Sequence, residues 1–222
     1  MRRKYATAIA SVKSPPLKDI VTSMLRSSDN LTAELVVKEL AAKGGAQGTT
    51  TAGAAAVLAK LKDLGVATDN VTLVDGSGLS HDNRDTCATL AGVLSLRSRP
   101  GLETLLSGLP VAAQSGTLVD QFVGTPLAGK VTAKTGSLDG VSGFAGLVTL
   151  KRPIEFTFLD NGTFNETVGA GLRVRFATQV GTYPDAPPAD ALVPAPMAAS
   201  SGATFGTAPP AATGASADRR PG

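Results

Sequence analysis

The sequence predicts an α+β fold, with helices followed by a three-stranded antiparallel meander and a C-terminal helix. Three observations carry this. Apolar residues recur at helical spacing through the first hundred residues, in segments cut by glycine and proline. Three β-rich runs then follow one another, KVTAKT, GFAGLVTL and IEFTFLD, with only turn residues between them. Strands and helices do not alternate, which argues against a parallel sheet built from βαβ units.

The first helix lies in LKDIVTSML, where Leu17, Ile20, Val21, Met24 and Leu25 share one face. It starts behind Pro15-Pro16 and stops at SSDN. A second helix, LTAELVVKELAAK, begins after Asn30, a favourable N-cap residue, and ends at Gly44-Gly45. A third, AAAVLAKLKDL, ends at Gly65, and NVTLVDGSG reads as a short strand running into a tight turn. TCATLAGVLSLR and GLETLLSGL are two further helices, broken by Pro100 and Pro110. After the meander, a last helix spans about Asn165 to Thr178. Residues 1–182 form the domain. From residue 183 proline, alanine, glycine and serine dominate, with eight of the fourteen prolines, and a disordered tail is expected over 183–222.

Composition narrows the function. The chain has 222 residues, enough for one domain with a core, and a net charge of +3 without a basic run, so nothing supports nucleic-acid binding. No apolar run is long enough for a membrane span. The apolar stretch behind the basic start, MRRKYATAIASVKSPP, covers about five residues, short of the seven to fifteen or so of a signal-peptide core. No signal peptide is expected. His81 is the only histidine, which excludes a multi-histidine metal site, and it falls in a polar turn. No metal or cofactor is expected. The single cysteine, Cys87, permits no internal disulfide and reads as a buried structural thiol. The N-x-[ST] triplets at Asn30, Asn70, Asn161 and Asn165 read as chance without a secretory signal.

Two constellations carry chemistry. Lys134 stands in the middle of a strand where packing alone would place valine or isoleucine. Its ammonium could bind a carboxylate, or act as a base if burial lowers its pKa. Thr135 adds a hydroxyl, and Gly136 bares the backbone so that an extended ligand can approach the strand edge. The second constellation, Ser28-Asp29-Asn30, sits at a helix–helix junction, where plain capping is the simpler reading. The two together are the S-D-N and K-T-G pair of penicillin-interacting serine enzymes.

On these motifs, and on DGSGLSHDNR, LPVAAQSGTLVDQFVGTPLAGKVTAKTGSLDGVSGFAG and LDNG, the chain resembles the D-alanyl-D-alanine carboxypeptidase/endopeptidase family of penicillin-binding protein 4 type, peptidase family S13. The resemblance runs from about Val12 to Asp185. It implies part of a β-lactamase/transpeptidase-like domain, an acyl-enzyme mechanism, peptidoglycan peptides ending in D-Ala-D-Ala as substrate, β-lactams as ligands of an intact homologue, and a location outside the cytoplasmic membrane. Ser28 would shuttle a proton to the leaving amine, and Asn30 would hold the substrate peptide, with Asp29 beside it. Lys134 would bond toward Ser28, Thr135 would contact the terminal carboxylate, and Gly136 would leave room for the peptide. The Ser137 amide would form half of an oxyanion hole.

One part of the pattern is absent. The residues three before each lysine are Met1, Ala10, Pro15, Leu35, Leu40, Val57, Ala59, Leu127, Val131 and Val148, so there is no S-x-x-K, the motif of the nucleophile and its base. Ser77 does not replace it, because DGSGLS lacks the first glycine of a G-x-S-x-G elbow and reads as a turn. The sequence therefore leaves two readings open: a carboxypeptidase domain lacking its attacking serine, and a non-catalytic truncated remnant or wall-peptide binding module using Lys134 and Thr135. A related β-lactamase fits less well, since no deacylating glutamate can be assigned. Of the five strands of the family's sheet about three are expected here, with an uncovered edge and poor solubility.

Overall fold

A computed structural model of the chain describes residues 9–102 and 105–185. Helix α1 (Leu17–Ser27) starts behind Pro16, whose ring-fixed φ of −54° suits the position. It ends where Ser28 turns left-handed, at φ 57° and ψ 47°. Helix α2 (Asn30–Lys43) follows almost at once. Its cap is Asp29, whose carboxylate accepts from the Thr32 amide at 3.1 Å and the Thr32 hydroxyl at 2.7 Å. The cap expected at Asn30 thus moves back one residue, because the Asp29 carboxylate is placed to reach Thr32 and takes both bonds. Helix α3 (Thr50–Asp63) is a turn longer than expected, since Thr49 accepts from the Ala52 amide and caps it. Helix α4 (Cys87–Ser95) runs into a 3₁₀ turn at Leu96–Ser98.

Three expectations are corrected here. NVTLVDGSG is not a strand. It makes one isolated bridge, Thr72 with Arg84, because side chains capture its backbone: Asn83 Oδ1 accepts from Val74 N, and Asp75 accepts from Gly78 N and Ser80 N. GLETLLSGL is not a helix in its described residues. Short turns closed by Leu105 N to Leu102 O and Leu109 N to Leu106 O replace it, with Gly101 at φ 86°. Cys87 is exposed, because it is the first residue of α4 and faces outward. The tail expected from residue 183 lies, from 186 on, outside the described residues, as do residues 1–8 at the basic start.

Strands β1 (Val131–Leu138), β2 (Val141–Thr149) and β3 (Pro153–Asn161) form one antiparallel sheet in the order β1-β2-β3. Its register pairs Thr135 with Phe144 and Phe144 with Phe158. Helix α5 (Glu166–Val180), capped by Asn165, covers the face that carries Ser142, Phe144 and Val148. Phe122, Leu118, Leu127, Val131, Ala133, Phe156 and Ala177 complete the core there, with the Phe144 and Phe156 rings 5.0 Å apart. Helix α4 lies against β3, and Arg97 of the following 3₁₀ turn pairs with Glu155 at 2.7 Å.

Both sheet edges matter. Lys130 O accepts from Thr149 N, so even-numbered residues of β1 bond to β2 and odd-numbered ones face outward. Val131 O accepts from Ala112 N, and Ala133 N donates to Pro110 O. Beyond Ala133 that edge opens onto a groove. Among the described residues no strand pairs with the outer edge of β3, as the reading of a three-stranded partial sheet requires.

Candidate active site

The groove lies between the Ser28–Asn30 junction and the open end of β1. The left-handed conformation at Ser28 costs a serine about 1–2 kcal/mol. It turns the chain sharply enough that α1 ends and α2 starts around one point, where Lys134 meets it. Lys134 Nζ donates to Ser28 Oγ at 2.6 Å and to Thr135 O at 2.7 Å. A cavity of about 510 Å³ opens here, and Ser28, Asp29, Asn30, Lys134, Thr135, Gly136 and Ser137 all line it. Every residue of the S-D-N and K-T-G motifs, with Ser137, therefore reaches the same cavity.

Their states differ. An ammonium only donates, so Ser28 Oγ accepts from Lys134 and keeps its own proton free to donate. Burial, and then the neighbouring Arg173 guanidinium, hold the Lys134 pKa below the usual lysine range. The Asn30 amide is exposed and has no hydrogen-bond partner among the described residues. The Asp29 carboxylate is occupied by the cap, and its bonds from Thr32 lower its pKa. Thr135 Oγ1 pairs with Thr117 Oγ1 at 2.9 Å. Alternation turns the Thr135 and Ser137 amides toward the open edge, so the Ser137 N–H points where a carbonyl oxygen of an edge-bound peptide would lie.

Sequence reasoning missed two contributors. Arg173 of α5, 4% exposed, reaches under the end of β1 and also lines the cavity. Glu34 of α2 braces the opposite wall from behind: its Oε1 accepts from the Gly76 and Ser77 amides at 2.8 and 2.9 Å, holding the DGSGLS loop that lines the groove. The loop can come so close because residue 76 is glycine; a Cβ there would stand 2.7 Å from Val37 Cγ2 and 2.9 Å from Ala33 O. Burial alone would raise the Glu34 pKa, but hydrogen bonds from Ser77 and Gly76 outweigh it and the pKa is lowered. Neither contact spans neighbouring positions, so no local pattern announces it. Ser77 lies in this loop, and its amide and hydroxyl are both turned to the Glu34 carboxylate. A larger cavity, about 840 Å³, sits at the other end of the sheet between Lys130, Lys151, Arg152 and Tyr183. None of the S-D-N or K-T-G residues lines it.

Comparison with known proteins shows the family of the chain. The sequence profile of the D-Ala-D-Ala carboxypeptidase 3 (S13) family matches residues 2–178. Carboxypeptidase DacB of Mycolicibacterium smegmatis is 38% identical over 164 residues, covering 70% of this chain and 36% of that protein. A D-alanyl-D-alanine carboxypeptidase of an Actinomadura species is 36% identical over 164 residues, covering 71% of this chain and 30% of that protein. Among solved structures, penicillin-binding protein 4 from Haemophilus influenzae, complexed with a β-lactam, superposes with a TM-score of 0.67 at 26% identity, over 74% of this chain and 41% of that one. The chain thus spans about a third of the length of the curated relatives it matches.

Proposed function

The chain belongs to the D-Ala-D-Ala carboxypeptidase 3 (S13) family, and from that membership we propose that it forms the peptide-binding and proton-relay part of a serine-type D-Ala-D-Ala carboxypeptidase acting on peptidoglycan. The observation that carries the proposal is the 2.6 Å bond from Lys134 to Ser28. It joins two short motifs 106 residues apart inside one cavity.

The peptide lies antiparallel along the open edge of β1, its terminal carboxylate toward Thr135 and its penultimate carbonyl at the Ser137 amide. Asn30, whose amide is unengaged, bonds the peptide backbone from the other side. During acyl transfer a serine hydroxyl gives its proton to the S-x-x-K lysine as its oxygen bonds to that carbonyl, the peptide C–N bond breaks, and the terminal D-alanine leaves with a proton on its nitrogen. Ser28 supplies that proton and recovers one through Lys134, whose lowered proton affinity suits the relay. An oxyanion donor such as the Ser137 amide contributes roughly a hundred- to a thousand-fold in rate.

The attacking serine belongs to S-x-x-K, which none of these 222 residues supplies. With no S-x-x-K among these residues, this polypeptide is expected to bind peptide in the groove without being acylated. Since peptidoglycan lies outside the cytoplasmic membrane, the site of action is extracytoplasmic. No described helix is long and apolar enough to cross a membrane. A fluorescent penicillin tests the proposal together with N-acetyl-D-alanyl-D-alanine. The expected result is reversible binding of the dipeptide with no covalently labelled band. A labelled band at the mass of this chain contradicts the missing nucleophile; absence of dipeptide binding contradicts the groove.

A further inference from the structure

Arg173 is an unusual residue to bury. It stands on the sheet-facing side of α5 at 4% exposure, and no carboxylate lies within ion-pair distance of it among the described residues. A single nitrogen, Nη1, donates to Gly136 O at 3.1 Å, Ser137 Oγ at 3.0 Å and Ser142 Oγ at 3.0 Å, while Nε has no partner among the described residues. Burying a guanidinium without a counter-ion costs several kcal/mol, and arginine, pinned in its charged form, cannot escape by losing a proton. A hydrophobic residue at this position of α5 would avoid that cost. The charge therefore calls for a role at the site it touches.

The hydroxyl geometry supplies one. Ser142 Oγ accepts from Arg173 and spends its proton on Gly169 O at 2.9 Å. Ser137 Oγ also accepts from Arg173, and its proton has no acceptor among the described residues. The guanidinium only donates, so it fixes Ser137 as an acceptor from behind the strand and leaves its O–H to donate toward the cavity. On the other side of the groove Lys134 holds Ser28 in the same way. Two cations thus present two hydroxyl protons to one space.

We propose that Arg173 is a positioning residue for the groove: it holds the end of β1 from behind, orients the Ser137 hydroxyl as a donor, and adds a second positive charge that favours a carboxylate on the β1 edge. The ionisable groups that line the groove are Asp29, Lys134 and Arg173; Glu34 stands behind the DGSGLS loop, bonded to it, and Asp75 within that loop is taken up by Gly78, Ser80 and Asn83. Glu166, two turns before Arg173 on α5, is the acid that partly offsets its charge. Asp29 faces the groove with its oxygens on Thr32, so the net sign of the lining is positive.

The inference rests on the peptide-groove reading for its ligand only. Its test compares N-acetyl-D-alanyl-D-alanine with the C-terminal amide of the same dipeptide by NMR titration, in the wild-type chain, Arg173→Met, Arg173→Lys, Ser137→Ala and Ser137→Thr. In parallel, the ¹³Cε signal of Lys134 is titrated without ligand. The wild type should prefer the acid over the amide, and Arg173→Met and Ser137→Ala should each lower that preference about tenfold or more. Arg173→Lys and Ser137→Thr, which keep the charge and the hydroxyl, should restore much of it. The Lys134 midpoint should rise in Arg173→Met and stay near the wild-type value in Arg173→Lys. An unchanged acid preference in Ser137→Ala, or an unchanged Lys134 midpoint in Arg173→Met, overturns the inference while the groove stands. If Arg173→Met does not fold, Ser137→Ala and Arg173→Lys decide it alone. A wild type that binds neither dipeptide overturns the groove reading, and the inference with it.

Discussion

Lys134→Met should separate stability from binding. The substitution removes two bonds, to Ser28 Oγ at 2.6 Å and to Thr135 O at 2.7 Å. Bonds to charged groups are worth about 1.5–3 kcal/mol each. Against that stands the desolvation of an ammonium, several kcal/mol per buried ion, which a thioether of similar length does not incur. Ser28 Oγ and Thr135 O border an open cavity and turn to water when the lysine goes, so little of the loss is an unpaired buried group. The opposing contributions leave a net change within about 1 kcal/mol, or a melting shift of some 2–4 °C in either direction for a domain of this size. The sign of the pH dependence is fixed. Folding lowers the proton affinity of Lys134, so between its folded and unfolded pKa values the unfolded chain holds more protons. Wild-type stability therefore gains as pH rises through that window, completely once pH exceeds the unfolded value of about 10.4, and the gain is lost as pH falls through the folded pKa. Lys134→Met lacks that slope. Circular-dichroism melts of both proteins from pH 7 to 10.5, with dipeptide affinity measured at each pH, read both effects. The wild type should gain on the variant as pH rises, and the variant should bind the dipeptide about tenfold or more weakly at pH 7. A variant destabilised by more than about 3 kcal/mol at pH 7, or a difference independent of pH, would refute a desolvated lysine held ready for a ligand.

Asp29→Ala should lower the melting temperature at neutral pH whereas Asn30→Ala should not, because Asp29 carries the cap; the deficit should vanish in acid, as the lowered Asp29 pKa requires, and matching losses would refute the reassigned cap. Glu34→Ala should speed amide hydrogen exchange at Gly76 and Ser77 and weaken dipeptide binding, and Glu34→Gln, which keeps the accepting oxygen, should restore most of the protection; equal exchange in both would show that the loop holds itself. Gly146→Ala puts a Cβ against Thr132 O and 2.6 Å from Ala133 Cα in the central strand, so a loss of about 1–3 kcal/mol or more is expected in chemical denaturation, and a neutral result would refute the tight pairing of β1 with β2. The unpaired edge of β3 should make the isolated chain associate with concentration in sedimentation, while a sharply melting soluble monomer would contradict that.

What the sequence made legible was local. The three strands announce themselves by β-rich composition and by the turn residues between them, and S-D-N and K-T-G are short patterns that need no long-range information. The misreadings arose where side chains compete with backbone periodicity. Asp75 and Asn83 turn a β-rich run into a braced loop, and Asp29 rather than Asn30 reaches Thr32. Leu102, Leu105, Leu106 and Leu109 have helical spacing, yet the glycines and prolines around them leave only short turns. Arg173 and Glu34 could not be found this way. Each acts on a segment more than thirty positions distant, and only the packing of α5 on the sheet and of the loop on α2 brings them to the groove.

The most direct measurement is an amide and side-chain NMR titration of the chain with N-acetyl-D-alanyl-D-alanine. Saturable shifts should centre on Ser28, the Asn30 side-chain amide and the backbone from Lys134 to Ser137, with the Ser137 amide moving downfield as it gains an acceptor. Saturable shifts confined to the cavity lined by Lys130, Lys151 and Arg152, or a spectrum unmoved at millimolar dipeptide, would contradict a peptide groove at the S-D-N and K-T-G junction.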